Sequence, residues 1–421
     1  MKQFRALAWR FAPDLCEAIS LRLPALRAYR AHGRRRRPGT ASGPITVAGF
    51  HGAVLGLGEA ARGVVSALAR VDVAAGAWDI SERLGHPRKL DQGDTRAPPP
   101  GPGVIIAHMN PPELLRLVVS DTAAFEGKRV IGYWAWELRS IPALWRPAFR
   151  HVDEIWTPST FTADAIRRAA PRRLTVRVAP HPIDEPEAVS SRARFALEDD
   201  TVIVLCAFDL RSTLARKNPF AALEAFRRAA ERTRLGATLV FKTVGGAQAP
   251  QAAASLMAAM EATPNVILID EVLSPADRDR LLASCDIFLS LHRSEGFGLL
   301  LAEAMAAGKA VVATGWSGNL DFMDEQSAVL VPYQLKPVDD PQGIYGRGLW
   351  AEPDIDAAAQ ALAALIDDPE RRAALGARAR ARVRHQLSPS AVGQIMRRAL
   401  EGGADPSSSR SDAPAEISHD A

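Results

Sequence analysis

The sequence predicts an α/β protein of two Rossmann-like domains whose parallel sheets face a cleft. Three observations predict it. The chain has 421 residues, more than the roughly 250 to 300 that a single hydrophobic core organises. Short apolar runs alternate with helical stretches, the pattern of a parallel sheet with crossover helices. That alternation stops in a proline-containing stretch, residues 183–200, and then begins again. Ligands on such sheets bind outside the carboxyl ends of the strands, so the cleft is where chemistry is expected.

The elements follow in chain order. Residues 1–43 form a basic N-terminal extension, and residues 44–185 the first domain. Its strands read at 45–49, 103–107, 130–136 and 176–178, and its helices at 59–69 and from Thr160, where Ser159 or Thr160 caps. The second domain, 186–386, has strand runs at 201–207, 238–244, 266–269, 287–291, 310–313 and 328–331. Helical runs at 219–232, 250–261, 274–284 and 298–307 separate them. Residues 355–402 read as helical with breaks near Pro369 and Pro389. The last part, 387–402, is a candidate to cross back onto the first domain. Residues 403–421, rich in Ser, Pro, Asp and Ala, read as a disordered tail.

The composition is 47% hydrophobic and 24% charged, which excludes a disordered or fibrous chain. The net charge of +4 is uneven: the first 37 residues hold ten Lys or Arg against Asp14 and Glu17, so that arm carries +8 and the rest −4. Basicity belongs to the arm, and no nucleic-acid partner is expected. Trp9, Phe11 and Leu21 among arginines can lie on an anionic bilayer, each basic residue contributing ~1 kcal/mol. Pro13 and Pro24 suit a solvated extension equally well. No apolar run approaches the ~18 residues of a membrane span. The three cysteines, Cys16, Cys206 and Cys285, have neither metal-ligand spacing nor the number for a disulfide framework, which suits a reducing cytoplasm. The expected place is therefore cytoplasmic, with peripheral contact to the inner membrane face through residues 1–37 as one option.

The sharpest local signal runs Ser294-Glu-Gly-Phe-Gly-Leu-Leu-Leu-Ala-Glu-Ala-Met-Ala-Ala-Gly-Lys-Ala-Val-Val-Ala-Thr. It reads as a loop, a helix, a glycine stop and a buried strand. Gly296 and Gly298 leave room for an anion against the N–H groups of Phe297, Gly298 and Leu299, where the helix start adds roughly half a positive charge. Glu295 lies in the loop and Glu303 in the helix, and sugar hydroxyls are good partners for such acceptor-only carboxylates. Solvated or lysine-paired glutamates are the plainer alternative. A second element, Phe208-Asp-Leu-Arg-Ser-Thr-Leu-Ala-Arg-Lys-Asn-Pro, follows a strand and sets Arg211, Arg216 and Lys217 before a helix that starts at Pro219. Thr314-Gly-Trp-Ser-Gly-Asn follows another strand and either offers Ser317 and Asn319 to the same pocket or is a plain connecting turn.

In the first domain, Gly56 and Gly58 lie in the loop after the first strand and open a helix. With Ala61 in the third glycine position and Asp79 as an acid, they also admit a dinucleotide-binding reading. His108, Asn110, Trp134, Trp136 and Glu137 follow strands and are expected to point into the cleft.

The stretch from Ser294 resembles the retaining glycosyltransferases of the two-Rossmann GT-B architecture, specifically glycosyltransferase family 4 (glycosyl transferases group 1). In that family two glutamates with seven residues between them bracket a Gly-Phe-Gly-like turn. The resemblance implies that Glu295 contacts hydroxyls of the transferred sugar and Glu303 the nucleotide ribose, with Phe297, Gly298 and Leu299 around the donor. It implies that Lys217 belongs to a basic pair on the diphosphate, with Arg211 or Arg216 as its partner. Gly58 resembles the loop that nears the donor phosphates across the cleft, and Ser317 and Asn319 line the donor side. Saccharides stack on aromatic faces and hydrogen-bond carboxylates, so His108, Asn110, Trp136 and Glu137 become acceptor-side candidates.

The implied reaction is transfer of a sugar, with retention, from a nucleotide-diphosphate donor to a hydroxyl of a saccharide or lipid-linked saccharide, in bacterial polysaccharide or glycoconjugate synthesis. No cofactor or metal is implied. Two rivals remain on the sequence alone: a nucleotide-sugar epimerase or phosphorylase on the same fold, and a non-catalytic binding protein with a degenerate donor site.

Overall fold

The computed structural model describes residues 42–403, apart from Gln92 and Asp94. The basic arm 1–37 and the tail expected beyond Gly403 lie outside the described residues.

The first domain runs β1 (Ile45–Gly49), α1 (Gly56–Ala69), β2 (Ala75–Asp79), β3 (Gly103–His108), α2 (Pro111–Ser120), β4 (Lys128–Tyr133), β5 (Glu154–Thr157), α3 (Thr160–Arg167) and β6 (Thr175–Val178). Its sheet is parallel, in the order β2-β1-β3-β4-β5-β6. Apolar side chains fill both faces: Ile105, Ala107 and Trp134 belong to one layer, Val104, Ile106 and Tyr133 to the other. This explains why the strands read as continuous apolar runs rather than alternating ones.

The second domain runs β7 (Val202–Asp209), α4 (Leu214–Lys217), α5 (Pro219–Ala230), β8 (Ala237–Val244), α6 (Pro250–Met260), β9 (Val266–Asp270), α7 (Pro275–Ser284), β10 (Ile287–Ser290), α8 (Leu299–Ala306), β11 (Ala310–Thr314) and β12 (Val329–Val331). The second sheet is also parallel, in the order β12-β11-β10-β7-β8-β9. An antiparallel hairpin, β13 (Tyr333–Pro337) and β14 (Leu349–Pro353), follows it. Three helices close the chain: α9 (Ile355–Asp367), α10 (Pro369–Leu387) and α11 (Pro389–Leu400). Their breaks fall where Pro369 and Pro389 can only open a helix.

Four features were not read from the sequence. Strand β2 is an edge strand of small residues, Ala-Gly-Ala-Trp-Asp, and makes a weak apolar signal. Helix α2 opens on Pro111-Pro112, which resembles a loop although proline fits a first helical turn. Strand β5 is only four residues long. In the β13–β14 hairpin, the first strand is largely exposed.

Among the contacts that tie the domains together, two are buried apolar clusters. The interdomain stretch is pinned where the Ile183 N–H donates to the Leu387 carbonyl at 2.7 Å. Beyond it, α11 returns to the first domain and packs Val392 and Met396 against Val64 and Leu68 of α1, all fully buried. The contact is close because Gly393 has no side chain: a Cβ there would stand 2.2 Å from the Ala67 carbonyl oxygen. Gly393→Ala is therefore expected to lower stability by about 1–3 kcal/mol, the usual penalty of overpacking. A urea titration should show a lower midpoint at unchanged slope. The second connection is aromatic. Trp136, Leu138 and Trp145 of the first domain share one buried cluster with Tyr345 and Trp350 of the hairpin region.

Candidate active site

A cleft of about 490 Å³ opens between the carboxyl ends of the two sheets. Residues after β1, β4 and β6 line one side, and the ends of β7, β8 and β10 with the start of α8 line the other.

Glu295 lies on the floor. Its Oε1 accepts from Lys217 Nζ at 2.6 Å, and Arg216 Nη1 stands 3.0 Å from the same oxygen. The local fold sets this meeting. Asn218, left-handed at φ 52°, turns the chain between α4 and α5, and its Nδ2 donates to the Leu291 carbonyl at 3.1 Å. The Arg293 N–H donates to the Arg216 carbonyl at 2.8 Å, which lays α4 along the chain leaving β10. Burial works to raise the Glu295 pKa, but the charges of Lys217 and Arg216 outweigh it and hold the carboxyl at about 2. Glu295 is thus an anion throughout the physiological range.

Lys217 lines the cleft, whereas Arg216 does not. Arg216 is 5% exposed, and its Nη1 donates to the Ser294 carbonyl at 2.9 Å behind Glu295. The expectation that Arg216 faces the cleft beside Lys217 is not met, because the four-residue helix α4 points successive side chains in different directions. Arg211 does not line the cleft either: it is exposed between the lining residues Asp209 and Ser212, clasped to Asp209 by Nη2 at 2.6 Å and reaching the Val54 carbonyl of the first domain at 3.3 Å.

Phe297, Gly298, Leu299 and Glu303 all line the cleft. Gly298 caps α8 at φ 97°, a left-handed conformation that glycine adopts without strain. Ser317 and Asn319 do not line it. They brace the turn from behind: Ser317 Oγ accepts from the Glu295 N–H at 2.8 Å, and Asn319 Nδ2 donates to the Thr314 carbonyl at 3.1 Å. Burial raises the Glu303 pKa to about 7 against the opposing charge of Arg278.

On the first-domain wall, Glu137 lines the cleft, and no described residue partners its carboxylate. The other acceptor-side candidates are set elsewhere. His108 is the last residue of β3, paired in register with Tyr133, so it is fully buried and stacks on the Tyr133 ring at 4.2 Å. Asn110 Oδ1 accepts from the Ala135 N–H at 3.0 Å and shapes the loop after β4. Trp134 is fully buried. Trp136 turns into the aromatic cluster, its Nε1 donating to the Ser140 carbonyl at 2.8 Å.

Gly58 is also away from the cleft; a Cβ there would meet the Phe50 carbonyl oxygen at 2.5 Å, so it serves the packing of α1. Residues 54–57 and Glu59 line the cleft in its place. Asp79, the last residue of β2, is tied to Ser81 and, at 3.0 Å, to Arg88, and does not line the cleft.

Sequence reasoning missed Arg278, Glu59, Arg62, Lys242 and His181. Arg278 Nη1 bridges Glu59 of the first domain at 3.4 Å and Glu303 at 3.9 Å, while Arg62 holds the other Glu59 oxygen at 2.5 Å. Burial lowers the Lys242 pKa to about 8, despite Asp270 and Glu271 nearby. Glu59 follows the Gly-Leu-Gly of the first loop directly, a signal that was legible. The others carry no local pattern.

Among the described residues, no helix is long and apolar enough to cross a membrane, and no group of three or more His, Cys, Asp or Glu could hold a metal ion.

Comparison with known proteins bears on this arrangement. The family described as "Glycosyl transferases group 1" matches residues 191–382. The phosphatidyl-myo-inositol mannosyltransferase of Mycolicibacterium smegmatis is 36% identical over 124 residues, which span 29% of this chain and only 27% of that protein. Among solved structures, Anabaena Alr3699/HepE in complex with UDP and glucose superposes with a TM-score of 0.59 at 15% identity, covering 85% of this chain and 99% of that one. Sucrose-phosphate synthase from Thermosynechococcus elongatus does so with a TM-score of 0.62 at 15% identity, covering 86% and 99%. The fold is that of these two-domain proteins. Residues 191–382, within the C-terminal domain, are thus similar to the glycosyl transferases group 1 family, and the match covers less than half of the chain.

Proposed function

We propose that this chain is a retaining glycosyltransferase that moves a sugar from a nucleoside-diphosphate donor to a hydroxyl of a saccharide or lipid-linked saccharide. The observation that carries the reading is the contact of Lys217 with Glu295 on the floor of an interdomain cleft, next to the glycine-capped start of α8. The lysine and the helix start supply positive charge for a leaving diphosphate. Arg211, exposed beside the lining residues Asp209 and Ser212, is the second cation, since Arg216 is held behind Glu295. Glu295 orients the transferred sugar through its hydroxyls.

In the reaction, the bond from the anomeric carbon to the diphosphate oxygen breaks. The acceptor oxygen bonds to that carbon on the same face, and the acceptor proton passes to the departing diphosphate. Glu137 receives acceptor hydroxyls on the opposite wall. The resemblances support a role in bacterial polysaccharide or glycoconjugate synthesis, cytoplasmic, with the basic arm 1–37 beside a membrane-bound acceptor.

The test is donor consumption with and without saccharide acceptors, with the anomeric configuration of the product read by proton NMR. Acceptor-dependent turnover with retention is expected. Turnover independent of acceptor would favour an epimerase; turnover dependent only on phosphate would favour a phosphorylase.

Glu303 gives a pH dependence. As a carboxylate it accepts ribose hydroxyls through both oxygens; protonation turns one oxygen into a donor and weakens that acceptance. With its pKa at about 7, donor affinity should rise with pH through that value and be about tenfold below its plateau one unit lower. Titration of the donor across this range checks it. Glu303→Gln should flatten the profile, and Arg278→Ala, by removing the opposing charge, should move the midpoint upward.

A further inference from the structure

His181 follows β6 and lines the cleft with Glu137, Glu295 and Phe297. It belongs to a cluster of three rings: Tyr133 stacks on His108 at 4.2 Å and on His181 at 5.4 Å with an interplanar angle of 16°, and the two histidine rings stand 5.6 Å apart. The edge of Phe297, two residues beyond Glu295, closes on His181 at 4.9 Å. The ring therefore has a fixed position.

Its protonation pattern is fixed too. The Tyr133 hydroxyl has one proton, and it donates that proton to the Ala179 carbonyl. The same hydroxyl oxygen is 3.1 Å from His181 Nδ1. With its proton committed, the oxygen can only accept, so Nδ1 carries the hydrogen and Nε2 keeps its lone pair. The hydrogen bond recorded for this ring is at Nδ1, and none from a described residue reaches Nε2. A bare imidazole nitrogen repels phosphate oxygens, which are themselves acceptors, and selects an O–H donor. In this cleft, beside the Glu295 turn, the matching donor is a sugar hydroxyl.

We propose that His181 is a donor-sugar residue whose Nε2 accepts a hydrogen bond from a hydroxyl of the transferred sugar, with Tyr133 as the positioning residue that holds the tautomer. The assignment rests on the donor site proposed above. Burial pushes the His181 pKa down to about 3, so the ring stays neutral while the sugar binds.

The experiment uses the full chain labelled with ¹⁵N-histidine and titrated with UDP, GDP, UDP-glucose and GDP-mannose. In the free protein, His181 should show a protonated Nδ1 and a bare Nε2, and Tyr133→Phe should mix the tautomers. A nucleotide sugar that binds should shift the Nε2 resonance, and its nucleoside diphosphate alone should not. His181→Gln should weaken the nucleotide sugar about tenfold, the loss of one hydrogen bond, and leave the nucleoside diphosphate unchanged.

A protonated Nε2 in the free protein would overturn the assignment. So would an equal shift with nucleoside diphosphate alone, or a bound nucleotide sugar that leaves Nε2 unmoved. These outcomes leave the donor site standing. If no probe binds the wild-type protein, the donor site falls and takes this assignment with it.

Discussion

Glu295→Gln is expected to lower kcat for sugar transfer about a hundredfold or more while the fold persists. The substitution keeps the volume and removes only the charge. The buried carboxylate accepts from Lys217 at 2.6 Å and stands 3.0 Å from Arg216; without it both cations lose their common partner. Two effects follow from one atom. The sugar loses an acceptor for its hydroxyls, and Lys217 is no longer held in position. Loss of one preorganised polar group in an active site typically costs about 10² to 10³ in rate. Stability should fall by about 1–3 kcal/mol, because Arg216 is 5% exposed and cannot turn to water. Initial rates at saturating donor, beside a thermal unfolding curve, separate the two effects. A variant that remains folded and transfers at the wild-type rate would remove Glu295 from the chemistry.

Lys217→Met carries the second large effect. It retains most of the apolar stem and deletes the ammonium that the cleft offers to a diphosphate. A loss of about 10² to 10³ in kcat/KM is expected, with weaker nucleoside-diphosphate binding as part of it. The substitution also acts on Glu295, since Lys217 is the foremost charge holding its pKa down. The Glu295 pKa should rise toward the ordinary carboxylate range, with Arg216 retaining part of the depression. The loss of transfer should therefore be largest in mildly acidic buffer. Initial-rate measurements across pH, wild type against variant, read this directly.

Much of the fold was legible because both sheets are buried on both faces. Strands such as Val104–Ala107 and Ile287–Ser290 are continuous apolar runs, and the helices between them have proline or serine starts, as at Ser274-Pro275 and Ser159-Thr160. The elements missed are those whose signal is non-local. The hairpin beyond Tyr333 gains its burial from Trp136 and Trp145, nearly two hundred positions earlier in the chain.

The second-domain side of the cleft was legible for a related reason. Glu295, Gly298 and Glu303 occupy one loop and one helix, so their spacing alone brings them together. The first-domain wall gathers residues from several loops, and of the residues expected there after a strand, Glu137 lines the cleft while His108, Asn110 and Trp136 do not. His108 ends a strand but remains within its register, beside Tyr133. His181 stands alone in a proline-containing connection, and only the Tyr133 hydroxyl reveals its orientation.

The central claim is that Lys217 and Glu295 form the floor of a nucleoside-diphosphate site. Calorimetric titration of UDP, GDP and ADP into the wild-type chain and into Lys217→Met tests it most directly. Saturable binding of at least one diphosphate, weakened about tenfold or more in the variant, is the predicted result; binding of none of them, or equal binding by both proteins, would contradict it.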